Sequence, residues 1–360
     1  MTWNASVPSG GRADHSDSPS DMRRVRVEIS GAHGFPREPA VMRHDPSRIL
    51  KIGDRYYVWY TRYVDTASES WDEIWHLPNH TEIWLAVSDD GRHWTEVGSV
   101  LPPSPATAWH LSGKHAPHVL VVDGTYYLYF TAHIGSDYLN KRIGLAVSES
   151  PEGPFRHWGT GPLLPADKGS GVFDVVGQDD SCVLEWDDGF WWYFKGYGYD
   201  HAIQRAINNR LCVARADAPE GPYRRWDGNP IAISHTACLW RHREGVAMLS
   251  DAPQPDTGAQ YVLYSRDGIR FERAAEISAS TRDTRLRSAL ALCPKVWGVS
   301  IADPGVYLPT HSGEPESALS VRWGLSQLPD RNRADATGKP PNFCPFLVRF
   351  DVLDDIFTAP

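Results

Sequence analysis

Dense apolar and aromatic positions between His44 and Arg62 predict two strands joined by a tight turn. Apolar and aromatic residues fill both sides of Gly53-Asp54. This density suits strands that are covered on both faces. At the head of the first strand, Asp45 precedes Pro46, and proline favours an extended conformation in the residue before it. The stretch therefore predicts a buried hairpin with a carboxylate at its entrance.

The same hairpin pattern recurs three more times along the chain, each time followed by a second hairpin. The later copies begin at His115, Asp179 and His235. Four strands per unit, at a period of roughly 55 to 70 residues, is typical of propeller blades. A fainter fifth unit is spread over Gly305–Leu308, Ser320–Ser326 and Leu347–Phe350. A β-sandwich would not explain why whole four-strand units recur.

The predicted fold is thus all-β, a five-bladed β-propeller with four antiparallel strands per blade. We expect a disordered N-terminal tail at residues 1–25 and a single catalytic domain at residues 26–360. Four long inserts are expected to be loops, and loops of this kind can rim the mouth of a central cavity. These inserts are Val64–His80, Ile134–Lys141, Tyr197–Asn209 and Gln327–Asn342.

Composition narrows the classes of partner. A formal charge of -9 over 360 residues argues against nucleic acid or an anionic membrane as partner. The five cysteines include no CxxC pair, which argues against a disulfide framework and against a zinc site. The first twenty residues lack the apolar core of a signal peptide, and no run reaches membrane-spanning length. We expect a soluble cytoplasmic protein, with a homodimer as an open alternative.

Candidate chemistry concentrates at the head of the first strand of each unit. The innermost strands of a propeller converge on its central channel, so residues at their heads meet although they are distant in sequence. The four slots hold Asp45, His115, Asp179 or Asp180, and His235. Two carboxylates and a further proton donor around a cavity suit hydrolysis of a glycosidic bond. Carboxylates on opposite walls leave room for a water molecule, which favours inversion. The fifteen Trp and fifteen Tyr residues are expected mostly to pack between sheets, some serving as sugar platforms.

The sequence resembles glycoside hydrolase family 117, the exo-acting α-1,3-(3,6-anhydro)-L-galactosidases. The resemblance covers roughly residues 40 to 350. It rests on Asp45-Pro46-Ser47 with Tyr56–Arg62, on Asp179–Cys182 with Lys195-Gly196, on His235 with Glu244-Gly245, and on Trp323-Gly324-Leu325.

That resemblance implies a role for each candidate. Asp45 would be the base that activates water, Asp180 the second acid that orients the sugar, and His235 the general acid. Glu244 is a reserve candidate for the acid, and the strand register leaves the choice between Asp179 and Asp180 open. Candidate sugar contacts are His115, Asp179, Gln178, Lys195, Trp75 and Trp109. The substrate would be an oligosaccharide. No cofactor is required, although a divalent cation could occupy the channel through His115 and water.

Two alternatives remain open. The first is an arabinofuranosidase, xylosidase or galactosidase of the related family 43, whose propellers carry the general acid in a Glu-Gly-Pro motif. That motif occurs twice here, at Glu152–Pro154 and Glu220–Pro222, in equivalent outer hairpins, which indicates a turn. The second alternative is a propeller that binds sugar or protein without catalysis.

Overall fold

The computed structural model describes most of the chain between residues 24 and 351. The described residues are 24–31, 33–36, 41–64, 81–105, 108–110, 113–135, 139–165, 173–200, 202, 204–234, 238–250, 256–281, 300–301, 321–330 and 342–351. Throughout these ranges the regular structure is β-strand. The described part of the chain contains no helix with the length and apolar character needed to cross a membrane.

The first strand, β1 (Arg24–Gly31), belongs to a sheet completed by the end of the chain, and it begins slightly before the predicted end of the tail. The opening hairpin region instead forms the first local sheet. Its strands are β2 (Val41–His44), β3 (Leu50–Ile52), β4 (Arg55–Val64), β5 (Thr81–Ser88) and β6 (Thr95–Ser99). β2 and β3 both pair with β4, so the predicted first strand is interrupted at residues 45–49, between β2 and β3.

The second and third sheets follow the predicted units. The second consists of β7 (Lys114–Val122), β8 (Thr125–His133), β9 (Lys141–Ser148) and β10 (Arg156–Trp158). The third consists of β11 (Gly177–Trp186), β12 (Gly189–Asp200), β13 (Arg205–Ala216), β14 (Arg224–Arg225) and β15 (Ala232–Ile233). Both are antiparallel meanders that start at the first strand of the unit.

The remaining described strands join in one eight-stranded sheet. They are β16 (Cys238–His242), β17 (Gly245–Leu249), β18 (Tyr261–Ser265), β19 (Glu272–Thr281), β20 (Ser300–Ile301), β21 (Val321–Asp330) and β22 (Asn342–Asp351), together with β1. β1 pairs in parallel with β19 and antiparallel with β22.

The all-β propeller with four strands per unit is confirmed, but the prediction of five separate blades is wrong. The described strands form four hydrogen-bonded sheets, because β1 pairs on both its edges and so joins the fourth and the fifth predicted units. Of the fifth unit, Gly305–Leu308 lies outside the described residues. No local sequence pattern encodes this long-range pairing of the N-terminal strand.

One of the predicted inserts is an extended hairpin rather than a loop, because Tyr199 pairs with Ala206 inside Tyr197–Asn209. Ile134 N donates to Asn140 O in a short loop, as predicted. Most of Val64–His80 and most of Gln327–Asn342 lie outside the described residues.

Aromatic side chains form the cores between sheets. Trp59, Leu85, Leu128 and Phe130 belong to one buried cluster that joins the first two sheets. Equivalent clusters lie between the later sheets, and the largest buried side chains are mainly Trp, Tyr and Phe. At about 25 cal/mol per Å² of apolar surface, such large rings contribute strongly to stability. Cys182, Cys212 and Cys238 are buried.

Candidate active site

The heads of the first strands meet near the centre of the propeller. β7 contacts β11, and β11 in turn contacts β16, although these strands belong to three different sheets. Each is an edge strand of its own sheet. Each therefore has one edge that pairs with no other described strand of that sheet. Polar residues at these strand heads are therefore brought together from distant parts of the sequence.

A shared backbone feature marks the strand heads in three units. Asp45, Ala116 and Asp180 have φ angles of 48°, 49° and 49°. Positive φ is uncommon for residues other than glycine, and here it accompanies a β-bulge in the second and third units. The extended conformation predicted for Asp45 is therefore wrong, because the chain turns at this point instead of continuing β2.

This feature also corrects the alignment of the repeats. The residue that matches Asp45 in the second unit is Ala116, and His115 matches His44 and Asp179 instead. In the third unit, the residue with the conformation of Asp45 is Asp180. The alignment made from the sequence is shifted by one residue at these strand heads. Side chains alternate between the two faces of a strand, and a bulge interrupts that alternation.

Asp45 is a partly exposed carboxylate held by its neighbour. Its side chain is 19% exposed, and Oδ2 lies 2.6 Å from His44 Nδ1. Burial would raise the pKa of Asp45, but the contact with His44 and the field of His115 outweigh burial and lower that pKa. Asp179 is also close enough to Asp45 to affect its pKa. Asp45 thus stays ionised and is partly accessible to solvent.

Asp179 is the buried centre of an ion-pair network. Its Oδ2 accepts hydrogen bonds from Lys141 Nζ at 2.9 Å and from Tyr197 OH at 3.0 Å. His115 Nε2 lies 3.3 Å from Oδ1. Burial opposes ionisation, but Lys141, Lys195 and His115 together hold the pKa of Asp179 well below its usual range. Asp179 is therefore a structural anion whose oxygens are occupied by protein groups.

Asp180 differs from Asp179 in exposure and in partner. Its side chain is 11% exposed, and Oδ2 accepts a hydrogen bond from Lys195 Nζ at 2.5 Å. Lys195 Nζ also lies 3.2 Å from Asp179 Oδ2. Burial alone would lower the pKa of Lys195, but the two carboxylates raise it well above its usual value. Lys195 is thus a permanent cation between the two acids.

His115 lies beside Asp179 and close to a second buried histidine, His133. The ring centroids of His115 and His133 are 5.0 Å apart. Burial lowers the pKa of His115 even though Asp179 and Asp45 act in the opposite direction. We therefore expect a neutral imidazole at neutral pH, which does not add positive charge next to Asp45.

Three predicted candidates lie apart from this network. Gln178 points to the other face of β11, where its Nε2 donates to Asp174 Oδ2 at 2.8 Å. Trp109 is half-buried, lies in the segment before β7 and packs edge-to-face on His110 with ring centroids 5.2 Å apart. Glu244 is exposed in the turn between β16 and β17, the end of the hairpin opposite the strand head. His235 and Trp75 lie outside the described residues.

Both Glu-Gly-Pro motifs form turns, as predicted. Gly153 N donates to Ser150 O, and Gly221 N donates to Ala218 O, in equivalent outer hairpins. Both glycines have positive φ, 77° and 96°, and each motif is followed by a buried aromatic ring.

Sequence reasoning missed three residues of the network. His44 could have been found, because it precedes Asp45 as His115 precedes Ala116. Tyr197 also carried a signal, since it lies two residues after Lys195 on the same face of β12. Lys141 is the first residue of β9 and gave none, because nothing local links it to Asp179.

The site offers little for a channel cation. Within the described ranges, no group of three or more His, Cys, Asp or Glu side chains is arranged to hold a metal ion. Lys141 and Lys195 already neutralise the carboxylate nearest to His115. Two ammonium groups beside Asp179 make this part of the network a poor fit for a divalent cation.

Solved structures with similar folds include glycoside hydrolases. A family 117 glycoside hydrolase from the marine bacterium Zobellia galactanivorans superposes with a TM-score of 0.71 at 22% identity, covering 92% of each chain. A family 43 enzyme from Xanthomonas citri gives a TM-score of 0.55 at 15% identity, covering 89% of this chain and 90% of that one. The expected likeness to family 117 and family 43 propellers is thus confirmed for the fold.

Sequence comparison gives the family itself. An extracellular endo-α-(1→5)-L-arabinanase from Thermotoga petrophila is 32% identical over 117 residues, which are 32% of this chain and 23% of that protein. Xylosidase/arabinosidase 43A from Humicola insolens is 31% identical over 150 residues, 41% of this chain and 43% of that protein. The chain thus matches less than half the length of either relative. The sequence model of glycosyl hydrolases family 43 matches residues 40–281, so the chain belongs to glycosyl hydrolases family 43.

Proposed function

We propose that this glycoside hydrolase is exo-acting and inverting, and removes a terminal α-1,3-linked 3,6-anhydro-L-galactose or a similar sugar from an oligosaccharide. Asp45 acts as the base, Asp180 as the second acid and His235 as the general acid. One observation carries the proposal. Asp45 and Asp180 occupy the same left-handed position at the strand heads of two different sheets, beside one shared ion-pair network.

The state of Asp45 suits a base. Its lowered pKa keeps the carboxylate ionised, which is the form that accepts a proton. The side chain is 19% exposed, so a water molecule can reach it. Asp45 and Asp180 come from separate sheets, and inversion needs two carboxylates far enough apart to leave room for that water.

Asp180 is better suited than Asp179 to contact a sugar. Asp179 is 3% exposed and is surrounded by donors from the protein, whereas the Asp180 carboxylate is partly exposed. A carboxylate open to the pocket can accept a hydrogen bond from a sugar hydroxyl and strengthen it in the transition state.

The proposed acid, His235, lies between Ser234 and the start of β16. β16 begins at Cys238, three residues after His235, and β16 contacts β11, the strand that carries Asp180. Carboxylates on neighbouring sheets would favour the protonated imidazole that a general acid requires. This assignment follows from the position in the chain and from the resemblance to family 117.

The sugar has two candidates. The higher structural similarity to the family 117 enzyme supports the anhydrogalactose reading. The family 43 match and relatives named as arabinanase and xylosidase/arabinosidase support an arabinofuranosidase, xylosidase or galactosidase activity instead. Both readings use the same carboxylates.

A product screen by mass spectrometry, against a mixed library of algal and plant oligosaccharides, separates these readings. Release of anhydrogalactose supports the first, and release of a pentose with no action on agaro-oligosaccharides supports the second. Binding without any product after long incubation would support a non-catalytic propeller. The anomer first formed, followed by NMR, tests inversion.

Asp45→Asn tests the base on whichever substrate is cleaved. Loss of a general base should lower kcat by about 10²–10⁴-fold, with a nearly unchanged melting temperature. Asp54→Asn is the matched control, because Asp54 is exposed in the turn of the same segment. If Asp45→Asn retains most of the activity, Asp45 is not the base.

A further inference from the structure

Lys195 bridges the two neighbouring acids at the head of β11. Its Nζ lies 2.5 Å from Asp180 Oδ2 and 3.2 Å from Asp179 Oδ2. We infer that Lys195 is a positioning residue that sets the orientation of the Asp180 carboxylate, and that it does not contact the sugar. The inference rests on the proposed role of Asp180.

Neighbouring protein groups occupy most of the hydrogen-bond donors of Lys195. An ammonium group has three donors. Two of them are directed by the short distances to Asp180 and Asp179, and the ring of Tyr197 lies 5.3 Å from Nζ. The Lys195 side chain is only 3% exposed. A sugar in the pocket would therefore meet Asp180 rather than the ammonium behind it.

Asp179 anchors both groups that hold Asp180. Lys195 pairs directly with Asp179 across the ladder between β11 and β12. The backbone N–H of Asp180 donates to Asp179 Oδ1 at 3.0 Å. Asp179 is in turn held by Lys141 and Tyr197. Asp179, a single buried anion, thus holds the backbone of Asp180 at the bulge directly and holds the Asp180 carboxylate through Lys195.

Positioning is needed because the bulge removes the usual support. Asp180 lies where the β11–β12 ladder is interrupted, between Asp179 and Cys182. A residue in such a conformation persists only when its surroundings constrain it. Two adjacent carboxylates also repel each other, and the cation between them offsets that repulsion. Lys195 therefore constrains the side-chain direction of Asp180 at the point where the backbone ladder does not.

A double-mutant cycle on a cleaved substrate tests the inference. Lys195→Met should lower kcat by about 10–100-fold with KM within about twofold, as is typical when a supporting contact is lost. In the Asp180→Asn background, the same substitution should change kcat by less than about threefold, because a residue that acts through Asp180 has nothing left to position. Lys141→Met is the matched control. It removes an equally buried cation from Asp179 and leaves the Asp180–Lys195 contact, so its loss of kcat should be smaller than that of Lys195→Met.

Specific results would overturn the inference. A raised KM with unchanged kcat in Lys195→Met would make Lys195 a sugar contact. Losses that multiply fully in the double mutant would show that Lys195 acts independently of Asp180. If Lys195→Met does not fold, two other variants replace it. Asp180→Asn/Lys195→Met removes one charge of each sign, and Lys195→Gln keeps a hydrogen-bond donor.

A crystal structure makes the test independent of activity. In Lys195→Met, or in Lys195→Gln if that variant alone folds, the Asp180 carboxylate should rotate away from its wild-type position while Asp179 stays in place. An unmoved Asp180 contradicts the inference. By contrast, a wild-type protein that releases no product in the screen refutes the proposed function and leaves this structural readout intact.

Discussion

Replacing Asp179 with asparagine should strongly destabilise the protein. Aspartate and asparagine are nearly isosteric, so the substitution mainly removes one negative charge. It does so at a site that is 3% exposed. Lys141, Lys195 and Tyr197 all direct donors at Oδ2, and His115 faces Oδ1. The asparagine amide nitrogen is itself a hydrogen-bond donor. In one orientation it points at Lys141 and Lys195, and in the other at His115 and the backbone N–H of Asp180.

The magnitude follows from burial. Removing one partner of a buried ion pair costs about 3–5 kcal/mol, because the remaining charge stays desolvated. Here two ammonium groups depend on Asp179, so we expect a loss in this range, on the order of a 10²–10⁴-fold change in the folding equilibrium. Asp89→Asn is the control, because that acid is 85% exposed and solvent screens its pair with Arg55, so the substitution should change stability little.

Urea unfolding at pH 7, followed by tryptophan fluorescence, measures the difference. The folded pKa of Asp179 lies below that of the unfolded chain, about 3.9. Its stabilising contribution is therefore fully present above about pH 4 and is lost as the pH falls through the folded pKa. The gap between wild type and variant should persist from pH 8 to pH 5. A cost of Asp179→Asn equal to that of Asp89→Asn would refute the account of the network.

Three further predictions concern the scaffold. Arg48→Met should lower stability by about 1.5–3 kcal/mol in urea unfolding, because the Arg48 guanidinium donates to Leu239 O at 2.5 Å from another sheet. Gly196→Ala should cost about 1–3 kcal/mol, since an added Cβ would lie 2.1 Å from Phe173 O, whereas Gly161→Ala, with nothing within 4 Å, should stay within about 0.5 kcal/mol. Burial lowers the pKa of His157 to about 4, below the unfolded value of about 6.5, so stability should fall as the pH drops from 6.5 to 4. In His157→Gln that fall should be shallower, and an unchanged slope would contradict this reasoning.

Much of the fold could be predicted because its units are local. The hairpin around Asp123-Gly124 and the hairpin around Asp188-Gly189 form with the strands expected from their turns and alternating residues. The number of separate sheets could not be predicted, because β1 pairs with β19 and β22 across more than two hundred residues of sequence. Pairing at that separation depends on which edges remain available after the local meanders have formed.

The candidate site divides in the same way. Asp45, Asp179, Asp180, His115 and Lys195 were predicted as candidates, and the structure brings them together around one network. Gln178 and Glu244 face elsewhere. Counting along a strand could not separate Asp179 from Asp180, because the bulge between Asp179 and Cys182 changes the register.

The sequence alone determined that the chain is built from repeated β-hairpins with acids and histidines at equivalent strand heads. Turn residues and two-residue alternation are local properties, and they suffice for that conclusion. Only the tertiary structure decided which acid is buried and which stays accessible. Lys141 reaches Asp179 from another sheet, thirty-eight residues away, and the charge of Asp179 is balanced by that contact. An ionisable group's role depends on the field and solvent around it, and both are set by residues that only folding brings close.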